Sequence, residues 1–321
     1  MKEILKVGNI IANKGEKKQG LVEIYNTSTS MPITLINGEK EGKTILITGG
    51  VHGSEYPCIQ TTIELAKEIE PKDVSGNIIL IHPVNTQAFE KKVSAVVPED
   101  NKNINRVFPG EKDGSIAEKI AHFITYECQE QSDFYIDLHG GDLHELVTDF
   151  VYCPGIGDEK VIEEAKKVAK VLDLNYMVKS KSTTGAYNSA AIRGLPSLLI
   201  ERGGRGTWSK EEVEKYKKDV RNILNHLQVL KDSSFSSENI KSPIEITNAI
   251  YLNASETGCW YPEIKPGDKV KKGKILGTIK DFFGNTLATY YSEVEGVILY
   301  MTVSLSIAKD EPLVAYGETE E

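Results

Sequence analysis

Arginine is scarce in this chain. Of its 38 basic residues only Arg106, Arg193, Arg202, Arg205 and Arg221 are arginine, and lysine supplies the rest. Arginine is the better bidentate partner for a carboxylate, so its placement in such a chain carries information. Positive charge is also in deficit: 47 acidic residues give a formal net charge of −9. A phosphate backbone or an anionic headgroup would be repelled, which argues against nucleic acid and membrane partners. No apolar run reaches the roughly 18 residues that a bilayer-spanning helix needs. The segment Met1–Ile11 has neither an apolar core nor a small-residue cleavage site, so no secretory signal is expected and a cytoplasmic location is. Cysteine is sparse too. Cys58, Cys128, Cys153 and Cys259 show no C-x-x-C spacing, which excludes a cysteine zinc cluster and a disulfide framework and suggests buried thiols in a reducing compartment.

What is present is enough apolar material for a sizeable core. Hydrophobic residues make up 40% of 321 positions, consistent with one large or two modest domains. Gly20–Tyr25 and Ile33–Ile36 alternate like strands. Thr44–Thr48, Asn77–Pro83, Phe134–Leu138 and Ser197–Ile200 are apolar runs consistent with buried strands. Helical spacing is expected from Pro57 onward, over Ser115–Glu130, over Glu159–Leu172 and over Lys210–Leu230. Strands alternating with helices indicate an α/β domain with a mixed or mostly parallel sheet. The serine-rich stretch Asp232–Asn239 reads as a linker, and the chain beyond it has short β segments between glycine turns. The expected division is a catalytic α/β domain over 1–240 and a small C-terminal all-β domain over 241–321.

Four segments could carry chemistry. Gly49-Gly-Val-His-Gly-Ser-Glu55 lies where a buried strand hands over to a helix, a place where rigid sheets position functional loops. His52 and Glu55 can face one point there, and imidazole and carboxylate both ligate zinc; the plainer reading is a helix-initiating glutamate favoured by the dipole. Tyr135-Ile-Asp-Leu-His-Gly-Gly-Asp142 puts His139 at a strand end, with Asp137 on the same face as a candidate to orient it, while His144 reads as a surface residue. Leu195–Gly206 delivers Glu201 into a glycine-rich loop, either as a general base or as the partner of Arg202 or Arg205. Pro98–Gly110 is polar and turn-rich, and its Asn105-Arg106 pair offers a fork of donors suited to a carboxylate.

Taken together, G-G-x-H-G-x-E, N-x-N-R-x-F-P-G, D-L-H-G-G and a strand ending in Glu resemble the succinylglutamate desuccinylase/aspartoacylase family. That family belongs to the zinc carboxypeptidase-like superfamily. The resemblance spans roughly residues 40–230 in order, and the later β segment, with Asp281-Phe-Phe-Gly284, is similar to the family's C-terminal β domain. It implies a zinc carboxypeptidase-like mixed sheet flanked by helices. It also implies one Zn2+ per chain held by His52, Glu55 and His139, with Glu201 as the catalytic glutamate. Asn105 and Arg106 would bind the substrate carboxylate, and Asp137 would stand behind the third ligand. The implied reaction is hydrolysis of a small N-acylated amino acid, with the branch that includes N-acetyl-diaminobutyrate deacetylases nearest.

One departure bears on the substrate. Aspartoacylases proper carry a further arginine shortly before the Asn-Arg pair, and Lys91–Val97 has none. Lys91, Lys92, Arg202 and Arg205 are the candidates to replace its charge. No motif anchors the family's substrate-contacting tyrosine among Tyr251, Tyr261, Tyr290 and Tyr291. Lys265–Gly273 is similar to carrier-domain turns, but the sequence around Lys280 lacks the flanks of a modified lysine. The β domain is instead expected to narrow the mouth of the site. A zinc carboxypeptidase acting on short peptides is the competing activity. A small-molecule substrate is the expected partner, with a homo-oligomer left open.

Overall fold

The computed structural model describes residues 3–231 and 242–319. The serine-rich stretch and the expected boundary at 240/241 lie outside the described residues. Nine strands form one mixed sheet. Across it run Ile244–Ile246, Tyr176–Ser180, Phe150–Pro154, Ser197–Glu201, Phe134–His139, Lys40–Gly49, Ser75–Ile81, Ser30–Asn37 and Lys17–Glu23. The four strands from Ser197–Glu201 to Ser75–Ile81 are mutually parallel, and an antiparallel neighbour flanks them on each side.

Successive residues of these central strands go to opposite faces, and both faces are covered. Ile45, Ile47, Ile136, Leu138, Leu198 and Ile200 pack with residues of the helices Tyr56–Glu68, Glu159–Ala169 and Lys210–His226. Leu46, Tyr135 and Leu199 pack with residues of the helices Ile116–Phe123 and Ala186–Ile192. Near-continuous apolar strands therefore follow from a sheet with no wet face. Each fully buried Leu or Ile contributes about 1.5–3 kcal/mol relative to exposure.

Helix ends differ from the periodic pattern for local reasons. The last long helix stops at His226 because Gln228 turns left-handed, with φ 62°. The segment from Ser115 begins with a reciprocal cap between Ser115 and Glu118, whose carboxyl is held down to about 2 by the Ser115 backbone N–H. It then widens into a π turn at Ile124–Cys128 and tightens at Gln129–Gln131, so one expected helix is three short helical pieces. All four cysteines are free thiols.

The C-terminal strands make two small antiparallel sheets, one of five strands and one of four, around Trp260, Leu276, Ile279, Ile298, Leu313 and Val314. Two strands cross between this region and the rest. Ile244–Ile246 pairs with Tyr176–Ser180 at the edge of the large sheet, and Glu145–Val147 pairs with Gly296–Thr302 in the small one. Val147, Phe150, Val178, Ile246, Val297, Leu299 and Ala315 bury the junction. That junction holds the C-terminal sheet against the carboxyl ends of the central strands.

Candidate active site

Three adjacent parallel strands end together. In the register of the sheet, Glu201 lies opposite His139, and Gly49 lies opposite Leu138. Their carboxyl ends therefore deliver the His52 loop, His139 and Glu201 to one edge, where open α/β sheets hold their ligands. The Gly50–Glu55 turn depends on glycine. Gly50 has φ +72°, and a Cβ on Gly53 would meet the Phe89 backbone nitrogen at 2.4 Å.

Glu55 stands at the N-cap of the Tyr56–Glu68 helix but makes no side-chain cap. Its carboxylate turns instead to two imidazoles. Oε1 lies 2.7 Å from His52 Nδ1, and Oε2 lies 3.2 Å from His139 Nδ1. One ligand atom from each of His52, Glu55 and His139 falls within 4.8 Å of the others. Each imidazole is also held on its far side. His52 Nε2 lies 3.2 Å from Asn103 Oδ1, and His139 Nε2 lies 3.2 Å from Asp137 Oδ2. Asp137 in turn accepts the Thr48 hydroxyl at 2.7 Å, and Thr48 meets Tyr135 Oη at 2.7 Å. Such outer partners fix which nitrogen faces inward.

The electrostatics follow from burial and proximity. Burial works to raise Glu55, but His139 and His52 override it and hold its carboxyl at about 2. Burial works to lower His139, yet the Glu55 and Asp137 carboxylates push it well above its ordinary 6.5. Glu201 is pushed well above the carboxylate range by burial and by Glu55, Glu145 and Asp137, with His139 pulling the other way.

These groups line one cavity of about 690 Å3. Asn105 and Arg106 border it from the short turn Ile104–Arg106. Asn105 Oδ1 accepts the Ala186 backbone N–H at 2.8 Å, which leaves its Nδ2 donors for the cavity. Arg106 is exposed at the rim and is the one Lys or Arg among the described residues lining the space.

The proposed replacements for the missing arginine do not face this cavity. Lys91 is drawn to Glu99 at 3.2 Å, Lys92 caps a helix in the left-handed region, and Arg205 is exposed on its loop. Arg202 is buried behind the site, its Nε donating to Asp219 at 2.8 Å and its Nη1 to Asp149. Arg202 therefore neutralises neither Glu201 nor a substrate. The alternative of a Glu201 ion pair with Arg202 or Arg205 finds no contact within 4.0 Å among the described residues. His144 is exposed, as expected.

The structure adds residues that no motif singles out. Tyr251 and Tyr300 enter the cavity from the C-terminal sheet, and Tyr251 Oη lies 3.0 Å from Tyr152 Oη. Glu145 lines the cavity as well. Asn103 stands inside the N-x-N-R segment, where its spacing from Arg106 was the only available signal. Glu311 and Pro312 complete the C-terminal wall.

Residues 41–227 match the model of the succinylglutamate desuccinylase/aspartoacylase catalytic domain. The chain is 27% identical over 299 residues to the N-alpha-acetyl-L-2,4-diaminobutyric acid deacetylase of Halomonas elongata, covering 91% of this chain and 86% of that protein. Among solved structures, the product-bound ectoine utilization protein EutE of Ruegeria pomeroyi superposes with TM-score 0.87 at 23% identity, over 99% of this chain and all of that one (100%). A succinylglutamate desuccinylase/aspartoacylase from Rhodobacter sphaeroides gives TM-score 0.83 at 24% identity, over 95% of this chain and 96% of that one. The structural likenesses speak for the fold alone. No helix among the described residues is long and apolar enough to cross a membrane. The matched catalytic domain covers more than half of the sequence, and the chain belongs to the succinylglutamate desuccinylase/aspartoacylase family of hydrolytic enzymes.

Proposed function

We propose that this enzyme is a zinc-dependent deacylase of small N-acylated amino acids. His52, Glu55 and His139 would hold the metal, Glu201 would move the proton, and Asn105 and Arg106 would grip the substrate carboxylate. The observation that carries the reading is the meeting of two imidazoles and one carboxylate beside Glu201, at the ends of three neighbouring strands in one cavity.

The residues fit the ion. Two nitrogens and one oxygen form a donor set that catalytic zinc takes while leaving a position open. Glu55 Oε2 is buried and, though 3.2 Å from His139 Nδ1, makes no hydrogen bond, as suits a ligand atom. Bound there, zinc would supply Lewis acidity, lowering the pKa of a water and polarising the scissile carbonyl. The protein does the rest. Glu201 accepts the proton of the attacking water and returns it to the leaving amine, a role that favours a carboxyl raised above its ordinary range. Asn105 Nδ2 and the Arg106 guanidinium orient the substrate by its carboxylate. The Tyr251 and Tyr300 wall limits depth and excludes bulk water.

The Halomonas relative is named for deacetylating an N-alpha-acetyl amino acid, which supports this class over a peptidase. A cavity walled by Tyr251, Tyr300, Glu311 and Pro312 suits small substrates as well. The test is an amine-release screen over N-acyl amino acids and dipeptides, with Glu201→Ala alongside. We expect turnover of N-acyl amino acids and a fall of about 10²–10⁴-fold in the variant with zinc content unchanged. Efficient release of C-terminal residues from peptides, or full activity in the variant, would overturn the reading.

A further inference from the structure

We propose that Glu145 selects the substrate side chain by receiving an ammonium group, so that the preferred substrate is an N-acyl amino acid bearing a side-chain amine. The inference rests on the deacylase reading of the site and adds to it the residue that reads the side chain.

Five carboxylates among the described residues line the cavity: Glu55, Asp142, Glu145, Glu201 and Glu311. Glu55 faces both imidazoles. Glu201 ends the strand beside His139 and serves the proton. Asp142 is satisfied within the protein: Oδ1 accepts the His144 backbone N–H at 2.8 Å, and Oδ2 accepts the Ser94 hydroxyl. Glu311 accepts the Ala308 backbone N–H at 2.8 Å. Of these, only Glu201 and Glu145 have no side-chain hydrogen bond and no ion pair among the described residues; with Glu201 committed to the proton, the partly buried Glu145 is the carboxylate left over.

Its position is fixed by backbone, not by side-chain contacts. The Glu145 carbonyl accepts the Arg205 backbone N–H at 2.8 Å. A Cβ on Gly204 or Gly141 would meet that same oxygen at 2.2 or 2.7 Å, so both loops close tightly around it. Pairing of Glu145 with Thr302 ties it to the C-terminal sheet. The carboxyl group is thus presented to the cavity from an anchored strand end, as a specificity group needs to be.

Charge gives the direction. Arg106 is the one Lys or Arg among the described residues bordering the space, and a substrate carboxylate would occupy it. A second substrate anion would find Glu145 and Asp142 with nothing to meet it. A substrate cation would find an unpaired carboxylate. Burial, Asp142 and Glu55 already push Glu145 up to about 8, with only Arg106 pulling it down. A bound ammonium would reverse that, since an opposite charge at contact favours the ionised form.

The test compares three N-acetyl amino acids of matched size on zinc-loaded protein: N-acetyl-2,4-diaminobutyrate, N-acetylnorvaline and N-acetylaspartate. The readout is the ratio of kcat/KM values, for wild type and for Glu145→Gln. We expect wild type to prefer the amine over norvaline by about 10- to 100-fold, the range of a hydrogen-bonded charge, with aspartate poorest. The variant should bring the amine-to-norvaline ratio to within a few-fold of one, chiefly through KM. Calorimetric binding of the free products 2,4-diaminobutyrate and norvaline reads the same preference without turnover. A wild type indifferent to the side chain, or a preference that survives Glu145→Gln in either assay, overturns this inference and leaves the deacylase reading standing. Failure to hydrolyse any N-acyl amino acid brings down the deacylase reading and this inference with it.

Discussion

Arg202 offers a sharp test because the sequence allows two roles for it and the structure allows one. Its guanidinium is 5% exposed and lies between Asp149 and the fully buried Asp219. Burial raises Asp219 to about 6 even though Arg202 pulls it down. Replacing Arg202 by Met removes that cation and leaves a buried carboxylate unpaired. Breaking a buried pair from one side costs about 3–5 kcal/mol, a large part of the roughly 5–15 kcal/mol that holds a domain folded. The sign with pH follows. In the unfolded chain Asp219 titrates near its ordinary 3.8, and in the folded variant it titrates above the wild-type value of about 6. The stability deficit against wild type is therefore small near pH 4, where the carboxyl is protonated in both folded proteins, and grows as pH rises through about 6 and beyond. Urea unfolding followed by circular dichroism at several pH values measures it. Arg202→Met/Asp219→Leu should recover much of the loss, because the stranded charge is gone with the cation. Activity per folded molecule should stay within about 10-fold of wild type, since no contact to the substrate is removed. A stability loss under about 1 kcal/mol together with abolished turnover would refute the reasoning and return Arg202 to the substrate.

Two other perturbations follow from local geometry. Burial holds the His82 imidazole down to about 4, with its Nε2 2.9 Å from Thr34 Oγ1, so the folded protein resists a proton that the unfolded chain accepts near 6.5. Its contribution is present above pH 6.5 and is lost as pH falls toward 4. Wild type should therefore lose up to about 3 kcal/mol more than His82→Gln across that range in pH-dependent unfolding, and parallel curves would count against the assignment. Gly53→Ala forces a Cβ against the backbone of Ala88 and Phe89, which must displace His52 or its neighbour strand of chain. Zinc affinity measured by chelator competition should fall by about 10-fold or more, the effect expected when a ligand's support is disturbed.

The strand ends were legible because each one combines an apolar run, a charged or imidazole residue and glycines. Gly49-Gly50, His139-Gly140-Gly141 and Glu201 before Gly203-Gly204 all follow that form. A buried parallel sheet must stop abruptly where its ligand site begins, and that transition is written locally. Partner choice is not local. Arg202 meets Asp219 and Asp149 from 17 and 53 positions away, in a helix and a loop that nothing in the glycine-rich segment foretells. Tyr251 and Tyr300 reach the cavity only because Glu145–Val147 and Ile244–Ile246 exchange between sheets, which ties the C-terminal strands over the site. The C-terminal wall of the cavity and Glu145 were therefore hidden for the same topological reason, while the candidate metal ligands and Glu201 were not.

The account depends most directly on a single divalent ion held by His52, Glu55 and His139. Protein stripped with chelator, dialysed against limiting zinc and assayed for metal by mass spectrometry tests this without substrate. We expect one zinc per chain in wild type and in Glu201→Gln, and a stoichiometry well below one in His52→Ala and in His139→Ala at the same free zinc. Stoichiometric zinc in either histidine variant, or none in wild type, would contradict it.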